Sequence, residues 1–120
     1  MYNSIVPPGG KHLILELWSE QPHLLKNPDR IVMICKQAAK EAGATIITSN
    51  FHHFGEGYGV SGVIILAESH ITIHTWPEDN YAAIDVFMCG NCDPLKTLNV
   101  FETEFKSTKV EYKILNRPLI

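Results

Sequence analysis

The chain contains no apolar run near the about eighteen residues needed to cross a bilayer, and residues 1–10 do not pair a charged segment with an apolar one as a secretory leader does. A cytoplasmic protein is therefore expected. Positive charge is also scarce. Ten Lys and Arg against thirteen Asp and Glu leave a formal net charge of −3, too little to grip a phosphate backbone, so nucleic acid is not an expected partner. Cysteine is limited to Cys35, Cys89 and Cys92, an odd number that does not suit a disulfide framework. Each of the three must serve as packing, ligand or reagent. There is no internal repeat and no low-complexity segment. What remains, 45% hydrophobic and 19% charged residues, is the make-up of an ordinary globular protein, and 120 residues suffice for one core but not two. The chain is read as a single domain, 1–120.

The pattern along the chain predicts alternating element types. Pro7, Pro8, Gly9 and Gly10 make a loop, followed at 11–18 by a strand in which Leu13, Leu15 and Leu17 alternate with Ile14 and Glu16. Ile31, Ile34, Cys35, Ala38, Ala39 and Ala42 recur at helical spacing, with Pro28 near the start and Gly43 past the end, so 28–42 reads as an amphipathic helix with Cys35 in its packed stripe. Four β-rich runs follow at 44–54, 60–67, 69–76 and 81–89, separated by Gly, Pro, Asp and Asn. A second helix at 94–105, capped by Asp93, and a last strand at 109–115 complete the order. The fold class expected is α+β, a two-layer sandwich of a mainly antiparallel sheet with both helices on one face. The other face must meet something, and a second copy of the chain, giving a homodimer, is the simplest cover.

The segment 58–92 concentrates the chemistry. Glu68, Ser69 and His70 sit between two strand-like runs, where a tight hairpin would carry Gly, Asn or Asp, and nothing in AESH forms a turn well. A strained peptide bond followed by serine is what an internal acyl shift needs, because the hydroxyl must reach the preceding carbonyl carbon. Ser69 attacking Glu68 turns the amide into an ester. Loss of the Ser69 α-proton then expels the Glu68 carboxylate, and hydrolysis of the resulting dehydroalanine leaves a pyruvoyl group. Such a carbonyl forms a Schiff base with a substrate amine and accepts the electrons released when carbon dioxide leaves. His74 is the candidate base, since imidazole titrates near neutrality, and Cys89 the candidate acid, since a thiol ordinarily keeps its proton there. Taken singly, Ser69 also reads as a solvated hydroxyl, His74 as a sheet histidine and Cys89 as packing.

What joins them is a resemblance. Residues 43–90, carrying GATIITS, FHHF, GVSGVIILAESHITIHTWPE and YAAIDVFMCG, closely resemble the prokaryotic S-adenosylmethionine decarboxylase proenzymes, which are pyruvoyl-dependent, and GGKHLILEL near the start is similar more weakly. The resemblance implies cleavage at Glu68/Ser69 into a β chain, 1–68, and an α chain, 69–120. It implies Ser69 as precursor of the covalent pyruvoyl cofactor, His74 as processing base, Ser61 as its helper and Cys89 as catalytic proton donor. By the same resemblance Phe54 lies against the adenine of S-adenosylmethionine, Glu78 accepts from the ribose hydroxyls, and Trp76 lines the pocket; the product serves spermidine, hence polyamine, synthesis. Phe54 and Trp76 as packing and Glu78 as a solvated turn carboxylate are the plainer readings. Three features depart from the family pattern. The loop 55–58 is one residue longer, Met88 stands where Thr commonly precedes Cys-Gly, and the C-terminal tail is short.

Other readings stay open. Relatives of this chemistry decarboxylate arginine or ornithine, and a reaction-dead regulatory relative would keep the fold without the cut. A zinc module could use Cys89 and Cys92, a CxxC pair, but no second pair accompanies it. His70 and His74 are HxxxH, yet on a strand they lie roughly 13 Å apart, too far to share a metal, so no metal is expected. Of His52 and His53, adjacent on a strand, at most one can face a given site.

Overall fold

The computed structural model describes residues 9–119; Pro7 and Pro8 of the expected leading loop lie outside them. Six strands and two α-helices follow in the order β1 (Gly10–Trp18), α1 (Pro28–Glu41), β2 (Ile46–His53), β3 (Val60–Leu66), β4 (Ser69–Trp76), β5 (Tyr81–Cys89), α2 (Leu95–Glu104) and β6 (Lys109–Arg117). The strands form one sheet, β2-β3-β4-β5-β1-β6, antiparallel at every pairing. Strands β2 to β5 are a meander. α1 carries the chain from β1 to the far edge, which leaves β1 free to pair with β5 on one side and β6 on the other. This is the α+β sandwich read from the sequence.

α1 forms where its signals lie. Asn27 Oδ1 accepts from the Arg30 N–H at 3.2 Å, Pro28 supplies a preset φ in the first turn, and Asp29 and Lys40 complement the helix dipole at its two ends. Gly43, at φ +81°, ends it, with Ala44 N–H reaching back to Ala39 O at 3.0 Å. Ile31, Ile34, Cys35, Ala38 and Ala39 face the sheet, where they meet Leu13, Leu15, Leu17, Ile71, Ile73, Ile84 and Val86, all buried. Each fully buried aliphatic here contributes about 1.5–3 kcal/mol over its exposed state. Burial pushes the Cys35 thiol up to about 12, consistent with the packing role expected of it. At α2 the N-cap position falls on Pro94, which makes no side-chain cap, one residue later than the Asp93 expected; Asp93 Oδ1 instead accepts from Leu95 N–H at 3.0 Å just ahead of the helix.

Three differences from the sequence reading have local causes. β2 is shorter than 44–54 because Thr45 is engaged elsewhere, its N–H on the Glu68 carboxylate and its carbonyl on Ala67 N–H. Two 3-10 turns, Pro22–Leu25 and Pro77–Asp79, were not read; each begins with proline, which fixes φ but gives no periodic signal. β6 runs on to Arg117 because that residue pairs with Gly10. No helix among the described residues is long and apolar enough to cross a membrane.

Among the described residues no helix packs on the second sheet face. On it stand His12, Ile14, Glu16 and Trp18 of β1, Asp85 and Phe87 of β5, His70, Thr72 and His74 of β4, and Ser61, Val63 and Ile65 of β3, related by the strand register.

Candidate active site

Two clusters of predicted residues form at opposite ends of β4. The first surrounds the β3–β4 turn. Leu66 pairs with Ser69, so only Ala67 and Glu68 connect the strands. Two-residue hairpins favour φ above zero at their central positions, hence Gly or Asn. Neither Ala67 nor Glu68 adopts it; the positive φ falls instead on Ser69, at +157°, the edge of the region that favours glycine. The turn-poor AESH sequence thus places its backbone departure on the serine.

Around that serine the upstream residue is held at both of its polar groups. The Glu68 carbonyl accepts from Cys89 N–H at 3.2 Å and from Cys89 Sγ at 3.0 Å, while Glu68 Oε1 accepts from Thr45 N–H at 2.9 Å. Cys89 alternates with buried Met88 at the end of β5, so it approaches the carbonyl from the uncovered face. Cys92, across the Gly90–Asn91 turn, donates to Gly43 O at 3.4 Å. Burial first, then the neighbouring Glu68 and Cys89, holds its thiol above the ordinary range. Among the described residues no three of His, Cys, Asp or Glu converge on a metal-sized space, and nothing supplies that pair with further ligands.

The second cluster lines a cavity of about 290 Å³ formed by Phe54, Tyr58, Ser61, His74, Trp76 and Glu78, with Gly59 and Thr75 completing its wall. Ser61 and His74 are direct register partners on β3 and β4, and Ser61 Oγ lies 2.8 Å from His74 Nδ1, in hydrogen-bond contact. Such a contact fixes the orientation of the ring and leaves Nε2 free. Trp76 stacks on Tyr81, centroids 5.4 Å apart and 21° between planes. Glu78 is exposed on the 3-10 turn Pro77–Asp79, which the left-handed Asn80 closes. Phe54 is exposed and meets His52 edge-to-face at 4.6 Å. As adjacency on a strand requires, His52 faces outward beside Ser61, its register partner, whereas His53 is half-buried with Nε2 unpartnered.

Five of the predicted site residues, Phe54, Ser61, His74, Trp76 and Glu78, therefore come together, as do Glu68, Ser69 and Cys89. The two groups do not come together within one chain. Ser69 and His74 are five residues apart on the extended strand β4, about 16 Å at ~3.3 Å per residue. Between the ends, the uncovered face carries polar pairs that sequence reading did not single out. His12 Nε2 lies 3.2 Å from Asp85 Oδ1, Thr72 Oγ1 donates to Asp85 Oδ2 at 3.4 Å, and Tyr81 OH donates to Glu16 Oε1 at 2.5 Å. Burial and the Glu16 bond push the Tyr81 phenol up to about 12. Tyr58 and Thr75 were also missed as cavity residues; the signal available was an aromatic in a glycine-rich loop three residues before Ser61.

Comparison with known proteins places these features in a family. Residues 11–118 match the family model described as S-adenosylmethionine decarboxylase. The chain is 50% identical over 101 residues to the S-adenosylmethionine decarboxylase proenzyme of Fervidobacterium nodosum, covering 83% of this chain and 73% of that one. It is 44% identical over 112 residues to the proenzyme of that name from Methanococcus maripaludis, covering 92% and 91%. Its structure is similar to the crystal structure of the adenosylmethionine decarboxylase from Aquifex aeolicus, with a TM-score of 0.79, 29% identity, and coverage of 91% and 90%.

Proposed function

The chain belongs to the S-adenosylmethionine decarboxylase family, and we propose that it is a member that cuts itself between Glu68 and Ser69 to make a pyruvoyl cofactor and then decarboxylates S-adenosylmethionine. The observation that carries this reading is the seat of the Glu68 carbonyl. When Ser69 Oγ adds to its carbon, the carbonyl oxygen gains negative charge, and the two Cys89 donors at 3.2 and 3.0 Å are already aimed at it. The C–N bond then breaks, the amine takes up the hydroxyl proton, and Glu68 is left esterified to Ser69. Loss of the Ser69 α-proton to a base expels the Glu68 carboxylate. The dehydroalanine that remains takes up water and releases ammonia, leaving residues 1–68 and 69–120 held by their shared sheet. His74 is the base, oriented by Ser61, and Thr45 N–H steadies the departing Glu68.

The chain's residues suit the group so formed. The pyruvoyl group, once present, supplies an electron-withdrawing carbonyl that takes up the electron pair released with carbon dioxide. The Cys89 thiol then lies beside it to return a proton to the substrate carbon. In the cavity at the other end, Phe54 offers an aromatic face to the adenine, Glu78 accepts from the ribose hydroxyls, and Trp76 forms a wall. These features favour an adenosyl substrate over arginine or ornithine, neither of which has a flat base or a ribose. The product, decarboxylated S-adenosylmethionine, serves spermidine synthesis.

The division of the site supports a homodimer. His74 cannot reach the Ser69 α-carbon of its own chain across about 16 Å, because proton transfer needs contact near ~3 Å. A second copy packed on the uncovered face, related by a two-fold axis running across the strands, sets each Ser69–Cys89 end against the partner's His74 end. Denaturing mass spectrometry of freshly folded protein tests the central step. The wild type should give two fragments and Ser69→Ala one intact chain of 13.5 kDa. A wild type that persists uncut overturns the reading, and carbon dioxide release compared across S-adenosylmethionine, arginine and ornithine tests the substrate.

A further inference from the structure

The loop between β2 and β3 presents a feature that the assigned roles leave unused. Phe54 and Tyr58 stand at its two ends, each 60% exposed, among the most exposed aromatic rings described, and both line the cavity that holds Glu78 and Trp76. The loop is built to hold them there. Phe54 N–H donates to Gly59 O at 3.0 Å and Tyr58 N–H to Gly55 O at 2.9 Å, closing it twice, while Gly55 and Gly57 take φ of +124° and +85° that other residues resist. Gly59 is pressed on β4 so closely that a Cβ would lie 1.9 Å from Thr75 O, which fixes the Tyr58 leg beside Trp76 and Pro77. Phe54 is steadied separately, edge-to-face on His52. Two large rings held out in water at the mouth of one cavity gain by meeting a flat apolar partner.

We propose that Tyr58 is a specificity-determining residue, the second aromatic wall, with Phe54, for the purine of the substrate. This rests on the S-adenosylmethionine reading above and deepens it. The ring, rather than the hydroxyl, does the work, since the hydroxyl makes no hydrogen bond among the described residues. Stacking on one ring is worth enough that its removal raises KM about tenfold. Tyr58 takes no part in the 2.8 Å Ser61–His74 contact that orients the base, so its loss leaves processing and kcat in place.

The test uses processed wild type, Tyr58→Phe, Tyr58→Ala and Tyr58→Leu. It follows carbon dioxide release from S-adenosylmethionine and its inhibition by adenosine, which carries the base and ribose without the amino acid. Tyr58→Ala and Tyr58→Leu should raise KM and the adenosine inhibition constant together by about tenfold, with kcat within about twofold and full chain cleavage; Tyr58→Phe should match the wild type. Unchanged KM and inhibition constant in both Ala and Leu variants, or a fall in kcat at constant KM, overturns the assignment. A wild type that ignores adenosine and decarboxylates arginine instead overturns the substrate reading beneath it.

Discussion

Two chains that are each inactive should together restore one cut. Ser69→Ala has no nucleophile and His74→Ala no base, so each alone stays uncut. If each site joins Ser69 of one subunit to His74 of the other, a mixed dimer contains one complete site, made from the Ser69 of the His74→Ala chain and the His74 of the Ser69→Ala chain. The proposed roles of Ser69 and His74 require such sharing, because the five-residue separation on β4 amounts to about 16 Å against the ~3 Å of a proton transfer. With the two chains co-expressed in equal amounts and pairing at random, half of the dimers are mixed, so about half of the His74→Ala chains should be cut and none of the Ser69→Ala chains. Intact-mass analysis of a pair differing by a tag reads both fractions at once. The reverse arrangement sharpens the result. Wild type co-expressed with the Ser69→Ala, His74→Ala double variant should leave about half of the wild-type chains uncut, because their partners lack the base. Fully cut wild type in that mixture, with no rescue in the first, would refute the shared site.

Other outcomes follow from the same contacts. Cys89→Ala keeps the backbone N–H on the Glu68 carbonyl but loses the thiol, so it should still cut, more slowly, and lose turnover; full carbon dioxide release would remove Cys89 as proton donor. Thr75→Val keeps the shape of a buried side chain but strands the Leu25 carbonyl, bonded at 2.6 Å, and the Val60 N–H, at 2.9 Å; it should cost about 2 kcal/mol or more in urea unfolding. His70 is held below its ordinary 6.5 by burial and then by the nearby His12 charge. The unfolded chain therefore binds this proton more readily than the fold does, so stability is present above 6.5 and falls as pH drops through that value toward the lowered one. Melting temperature measured between pH 7 and pH 5 should decline less in His70→Gln than in the wild type.

Much of this was written in the chain itself. Helix α1 was legible because its start, its apolar period and its stop are all local: Pro28, the Ile31 to Ala39 stripe and Gly43 act within a few turns of one another, whereas the Asn27 cap was seen only in the structure. The meander was legible because alternation has a period of two and the breaks carry Gly, Pro and Asn. The Glu68–Ser69 bond stood out as a turn lacking turn residues, and the structure has the matching feature, an unfavourable φ on Ser69 in place of one on Ala67 or Glu68.

What the sequence could not contain is which residues share a space. Cys89 reaches the Glu68 carbonyl only because β4 and β5 pair with Ser69 opposite Met88, a register set by the whole sheet. Tyr58 joins Phe54, Trp76 and Glu78 only because Gly59 seats the loop on Thr75. The division of the chemistry into two ends is likewise a property of strand length. Five residues are close neighbours in a sequence and far apart on an extended backbone, so motifs that read as one site along the chain become two half-sites once β4 is straight.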